Sequence, residues 1–133
     1  MDLKRCKIMG KAHLTVEEAR EMFIYVSAKM EESKDVLTQA DKAIGDGDHG
    51  IGMARGFETL RQKLANQAFI NLAELFKLVG MTLMTSIGGA AGAVFGTFFR
   101  GAAKNLEGGA ELNSQTLCLI LADGLQEIGR AHV

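Results

Sequence analysis

The chain has 133 residues, of which 47% are apolar and 23% charged, with a formal net charge of -1. That length suits one domain with a modest core, and the composition excludes a disordered, highly charged polymer. The near-neutral balance also lacks the basic footprint of a nucleic-acid binder, and the short cluster Lys4, Arg5 and Lys7 does not supply one.

Proline is absent and strict alternation is rare, whereas apolar residues recur at spacings of three and four. This predicts an all-α protein. Thr15 opens the first helix, because Thr15 and Glu18 have the spacing of a capping box. Ala19, Met22, Phe23, Val26 and Met30 form its apolar stripe, which reads as core, and the helix frays in the charged run from Glu31 to Asp35. A short element from Val36 to Ala43 leads into the segment IGDGDHGIGMARGF, Ile44 to Phe57. Gly45, Gly47 and Gly50 break the helical pattern there. It resumes at Ile51 with Met53, Phe57, Leu60 and Leu64 on the apolar side, and with Arg55 and Arg61 solvated or facing a polar pocket.

After a connection at Asn66 to Ala68, the next helix covers Ile70 to Ser86, burying Leu72, Leu75, Phe76, Val79, Leu83 and Met84. Gly88-Gly89 ends it. The segment Ala90 to Leu106 follows, and Gly88, Gly92 and Gly96 repeat at four, which lets another helix come close. Leu75 to Phe99 is the most apolar region, but Lys77 and the glycines interrupt it, so a buried helical pair is predicted rather than a membrane span. Gly108-Gly109 forms a turn. The last helix starts at Asn113 or Ser114 and carries Leu117, Leu121, Leu125 and Ile128. Five or six helices with short connections predict an antiparallel bundle, one domain over residues 1–133. Cys6 and Cys118 are far apart in sequence and read as free thiols of a reducing compartment. Without a secretory signal pattern, the expected location is cytoplasmic.

Chemistry concentrates in the broken segment. Asp41, Asp46 and Asp48 give D-x4-D-x-D, and a glycine-broken loop can bring all three carboxylates together. Convergent carboxylates repel unless a cation neutralises them, and an all-oxygen set suits magnesium better than the longer spacing of a calcium EF-hand. The same segment opens a helix, where the early amides of His49, Gly50, Ile51 and Gly52 can receive phosphate. The plainer alternative is a solvated turn with capping aspartates. A second glycine-rich stretch, SIGGAAGAVFG from Ser86 to Gly96, is either a helix–helix turn or a further anion-binding helix start at Ala90 and Ala91. It lacks the G-K-[ST] of a P-loop. Asp123 and Glu127, four apart on the last helix, face solvent or pair with bases.

Taken together, Asp41-x4-Asp46-Gly-Asp48-His49-Gly and GMTLMTSIGGAAGAVFGTFF resemble the nucleotide-binding L subunit of dihydroxyacetone kinase. They are equally similar to the corresponding carboxy-terminal domain of the ATP-dependent dihydroxyacetone kinases. The resemblance runs from about Thr15 to Ile128 and implies an antiparallel helical barrel, of which this chain would hold about five or six of the usual eight helices. It further implies that Asp41, Asp46 and Asp48 coordinate two magnesium ions gripping ADP or ATP. His49, Gly50, Ile51, Gly52, Ala90 and Ala91 fall on the family's phosphate- and nucleotide-contacting positions. In the phosphotransferase-system form, bound ADP accepts phosphate from a phosphohistidine of an M subunit and passes it to dihydroxyacetone held by a K subunit. A separate short chain favours that form.

Two positions depart from the family. Gly52 stands where asparagine is usual in HGxNM, and Ala91 where serine is frequent in GGASG, so two side-chain hydrogen bonds near phosphate are lost. The motif R-G-x-A-x-P-G-D-K-T-M, which normally follows the helix ending near Ile128, is replaced by the final GRAHV. The expectation is a shortened barrel with open apolar faces, prone to self-association. A non-catalytic helical remnant is the alternative to a working nucleotide-binding subunit.

Overall fold

The computed structural model describes residues 10–106, 108, 109 and 111–131. The basic cluster Lys4, Arg5 and Lys7 and the thiol of Cys6 lie outside them; Cys118 is a free, exposed thiol. Six helices account for most of the described residues: α1 (Val16–Glu32), α2 (Lys34–Lys42), α3 (His49–Ala65), α4 (Leu72–Ile87), α5 (Gly89–Ala102) and α6 (Ser114–Ala131). A two-stranded antiparallel ribbon joins β1 (His13–Thr15) to β2 (Glu111–Asn113), with Leu14 opposite Leu112.

Local chemistry sets several boundaries. The Thr15 hydroxyl accepts from the Glu18 amide, and the Glu18 carboxylate accepts from the Thr15 amide, which completes the expected capping box at the start of α1. The charged run does not fray. Ser33 alone separates α1 from α2, its amide bonding back to the carbonyls of Lys29 and Met30. Asn71 caps α4 by accepting from the Glu74 amide, so Ile70 falls outside the helix and is exposed. The single residue Gly88 turns α4 into α5, with φ of 75°.

The helices form an all-α bundle whose neighbours follow one row, α1 packing on α3, α3 on α4, α4 on α5 and α5 on α6, while α2 lies against α3. The core holds Met53, Phe57, Leu60 and Leu64 of α3 with Leu72, Leu75, Phe76, Val79 and Leu83 of α4. Burying each large apolar side chain contributes about 1.5–3 kcal/mol against conformational entropy. Phe23, Phe76 and Phe99 bring α1, α4 and α5 together, their ring centroids 5.3–6.0 Å apart. The small-residue stripe does let a helix approach. A Cβ on Gly96 would overlap Met84 of α4, so α4 and α5 pack nearly backbone to backbone.

At the ends of the row the sequence pattern overstates burial. Val26 lies at the edge of the α1 stripe and is exposed. On α6, Ile120 and Gly124 face the bundle, while Leu117, Leu121 and Leu125 are 47%, 53% and 68% exposed. A leucine repeat every four residues marks an apolar face, but α6 is the last helix described in the row and packs chiefly on α5, on one flank. An apolar cleft of ≈ 460 Å³ opens between α1 and α6, lined by residues including Met22, Phe98, Leu117 and Leu121. No helix among the described residues is long and apolar enough to cross a membrane.

Candidate functional site

The acidic loop lies between α2 and α3. Asp41 sits in the last turn of α2, and its backbone carbonyl accepts from the amides of Ile44 and Gly45, which folds the chain back over the helix end. Gly47 takes a positive φ of 76°, and Asp48 occupies the position just before α3. The outcome is convergence. One carboxylate oxygen from each of Asp41, Asp46 and Asp48 lies within 4.8 Å of the others.

How these acids are spent separates a metal site from a capped turn. Asp48 is the residue where a capping carboxylate would be expected, yet its side chain makes no capping hydrogen bond. Asp41 takes part of that role from a distance, its Oδ2 accepting from the His49 amide at 3.2 Å. Hydrogen bonding to Asp46 and the negative charges of Asp46 and Asp41 raise the Asp48 carboxyl above its ordinary pKa of 3.8. Like charges held together in this way suit a hard divalent cation, which would relieve the repulsion and accept oxygen ligands.

The four amides expected at the helix start divide into two pairs. The His49 amide is engaged by Asp41, and the Gly52 amide makes the first regular helical bond, to the Asp48 carbonyl at 3.1 Å. Gly50 and Ile51 lie in the first turn, ahead of any intrahelical carbonyl partner. Gly50 has a further constraint. A Cβ there would overlap the Lys34 carbonyl and the Thr38 hydroxyl of α2, so this glycine is needed for α2 to lie against α3. His49 is half-buried and Ile51 exposed.

The second glycine-rich stretch is brought to the same end of the bundle. A Cβ on Gly52 would stand 3.3 Å from the Ile87 carbonyl, and one on Gly56 would overlap the Ile87 side chain. The start of α3 therefore abuts the α4–α5 corner. Gly89, Ala90 and Ala91 form the first turn of α5, and the Gly92 amide closes it on the Gly88 carbonyl at 3.0 Å. Ala90 is exposed and Ala91 half-buried. Two helix N-termini and three carboxylates thus occupy one region, an arrangement that can hold a cation bound to a phosphorylated ligand.

Arg55, expected with Arg61 to be solvated or to face a polar pocket, reaches the end of α4. Its Nε donates to the Ser86 carbonyl and its Nη2 to the Ile87 carbonyl, both at 2.8 Å. Nothing in the periodicity of α3 distinguishes it from Arg61, which instead forms an ion pair with Glu31 of α1 at 2.7 Å. Away from the site, Glu127 pairs with Lys104 and Arg130, and Asp123 accepts from Asn105, so these two acids make no dyad.

Residues 43–132 match the family described as the DAK2 domain, a segment that includes Asp46 and Asp48 and begins just after Asp41. The chain is similar to the ADP-binding subunit of the PEP-dependent dihydroxyacetone kinase 1 of Listeria innocua, 36% identical over 107 residues, or 78% of this chain and 54% of that one. Its similarity to the ADP-binding subunit of the PTS-dependent dihydroxyacetone kinase of Lactococcus lactis is 36% over 120 residues, covering 90% and 62% of the two chains. For the ADP-binding subunit of the PEP-dependent enzyme of Escherichia coli it is 41% over 90 residues, covering 68% and 43%. The chain thus spans about half the length of the curated relatives it matches.

Proposed function

The chain belongs to the DAK2-domain family, and from that premise we propose that it is a nucleotide-binding unit of a dihydroxyacetone kinase, holding ADP through two magnesium ions. Asp41, Asp46 and Asp48 are the metal ligands in this reading. The amides of Gly50, Ile51, Ala90 and Ala91 face the phosphates, with the His49 imidazole beside them. Gly52 contributes room rather than a donor, since its amide is already bonded within the helix. The convergence of three carboxylates beside two helix starts carries the proposal.

Magnesium, when bound, would neutralise phosphate charge and align the transferring oxygens. The chain's own part is positioning: carboxylates fix the cation, helix N-termini orient the diphosphate, and no side chain is asked to act as a base. On the family resemblance of the two motifs, the phosphoryl group would come from a phosphohistidine on an M subunit and pass through ADP to dihydroxyacetone on a K subunit. Calorimetric titration with ADP, with and without magnesium, tests the central claim. Binding that requires magnesium is expected; no binding at millimolar ADP and magnesium overturns it.

The exposed leucines of α6 favour one addition. Leu117 and Leu121 line the apolar cleft between α1 and α6, Leu125 is exposed further along the same helix, and this face supports self-association. Light scattering across a concentration series should show a rising mean mass that Leu121→Glu suppresses. A strictly monomeric protein at every concentration argues against it.

A further inference from the structure

We infer that Arg55 is a positioning residue for nucleotide, a brace that holds the start of α5 in register with the acidic loop; the assignment rests on the nucleotide-binding function proposed above. Arg55 lies less than two turns into α3, the helix whose first residues follow Asp48. Its guanidinium reaches across to the last two carbonyls of α4 that precede the turn, those of Ser86 and Ile87. Such carbonyls have lost their helical partners and sit at the negative end of the helix dipole, so a guanidinium fork meets them with two charge-assisted bonds.

The position of those carbonyls gives the contact its consequence. Only Gly88 separates α4 from α5. Fixing the peptide after Ile87 therefore fixes the direction in which α5 departs, and with it the first-turn amides of Gly89, Ala90 and Ala91. Gly88 is in the left-handed φ region, and the nearest atom to a Cβ built there would be Nη2 of Arg55, at 3.9 Å. A Cβ on Gly89 would meet nothing within 4 Å, so the outer side of this turn is open. The brace thus joins the helix that begins just after Asp48 to the helix start that faces the phosphates, and it does so without using a metal ligand.

The measurement compares Arg55→Ala, Arg55→Lys and the unaltered chain. Amide hydrogen exchange without ligand should quicken about tenfold or more at Gly92, whose amide closes the first turn of α5 on the Gly88 carbonyl, in Arg55→Ala, as expected when two charge-assisted bonds are lost. Calorimetric ADP affinity in magnesium should fall by about 10- to 100-fold, the range of such bonds expressed as a ratio. Binding of manganese alone, followed by its paramagnetic resonance signal, should stay within about twofold, because the carboxylates are untouched. Lysine reaches one carbonyl at most and should restore ADP affinity only in part. Unchanged exchange at Gly92, unchanged ADP affinity, or a parallel loss of manganese binding each overturns the assignment. If the unaltered chain takes up no ADP, the proposed function fails and the assignment with it. If the unaltered chain binds and Arg55→Ala binds equally well, only the assignment fails.

Discussion

Asp48→Asn is expected to abolish the magnesium-dependent part of ADP binding and yet, in chelator, to raise the melting temperature at neutral pH. The two effects have one cause. In the folded chain Asp48 shares a hydrogen bond with Asp46 and feels the charges of Asp46 and Asp41, which raise its pKa above the ordinary 3.8. A raised carboxyl pKa means that the folded state binds the proton more tightly than the unfolded state. Stability is therefore lost as pH rises from the unfolded value through the folded one, and the loss is complete above both. At neutral pH the metal-free protein carries that repulsion in full, and asparagine removes it while keeping the shape. Differential scanning fluorimetry in chelator should show the variant melting above the unaltered chain at pH 7, with the gap closing as pH falls below the ordinary carboxyl range. Added magnesium should reverse the order, because it binds the unaltered folded state and stabilises it by mass action. A variant that melts lower in chelator, or that still gains stability and ADP affinity from magnesium, contradicts a cation site built on repelling carboxylates.

Gly50→Ala is expected to cost about 3 kcal/mol of stability, at the upper end of ordinary overpacking, and to weaken ADP binding in magnesium by at least about tenfold. The new methyl overlaps the Lys34 carbonyl and the Thr38 hydroxyl. Backbone cannot step aside by changing rotamer, so α2 must move. α2 has no fully buried residue, which makes it the partner that yields while the α3–α4 core stays in place. Its last turn carries Asp41, so displacement of α2 takes one carboxylate from the cluster and the acceptor from the His49 amide. Urea denaturation and calorimetric titration check the two effects. Near-native stability with unaltered ADP affinity would show that α2 and α3 do not need this contact.

Sequence periodicity was most informative where a residue's role depends on near neighbours. The capping box of Thr15 and Glu18, the apolar face Met53, Phe57, Leu60 and Leu64, and the small-residue face at Gly92 and Gly96 all form as expected. The ribbon was illegible, because three-residue strands carry almost no alternation and Leu14 finds Leu112 across nearly the whole chain. The Asn71–Glu74 cap was available at the same spacing as Thr15–Glu18, yet the predicted helix began earlier, at Ile70, because an apolar residue there fitted the period.

The amino acids themselves determined the helices, the loop that carries Asp41, Asp46 and Asp48, and the two glycine-rich helix starts, since propensity, capping and glycine's freedom act over a few residues. Only the tertiary structure decided which of these meet. It made Gly50 a contact between helices, turned Arg55 toward the end of α4 and left Leu117, Leu121 and Leu125 exposed. A periodic pattern states that a face is apolar or a group is polar. What lies opposite depends on contacts between residues far apart in the chain, and those are fixed only when the helices pack.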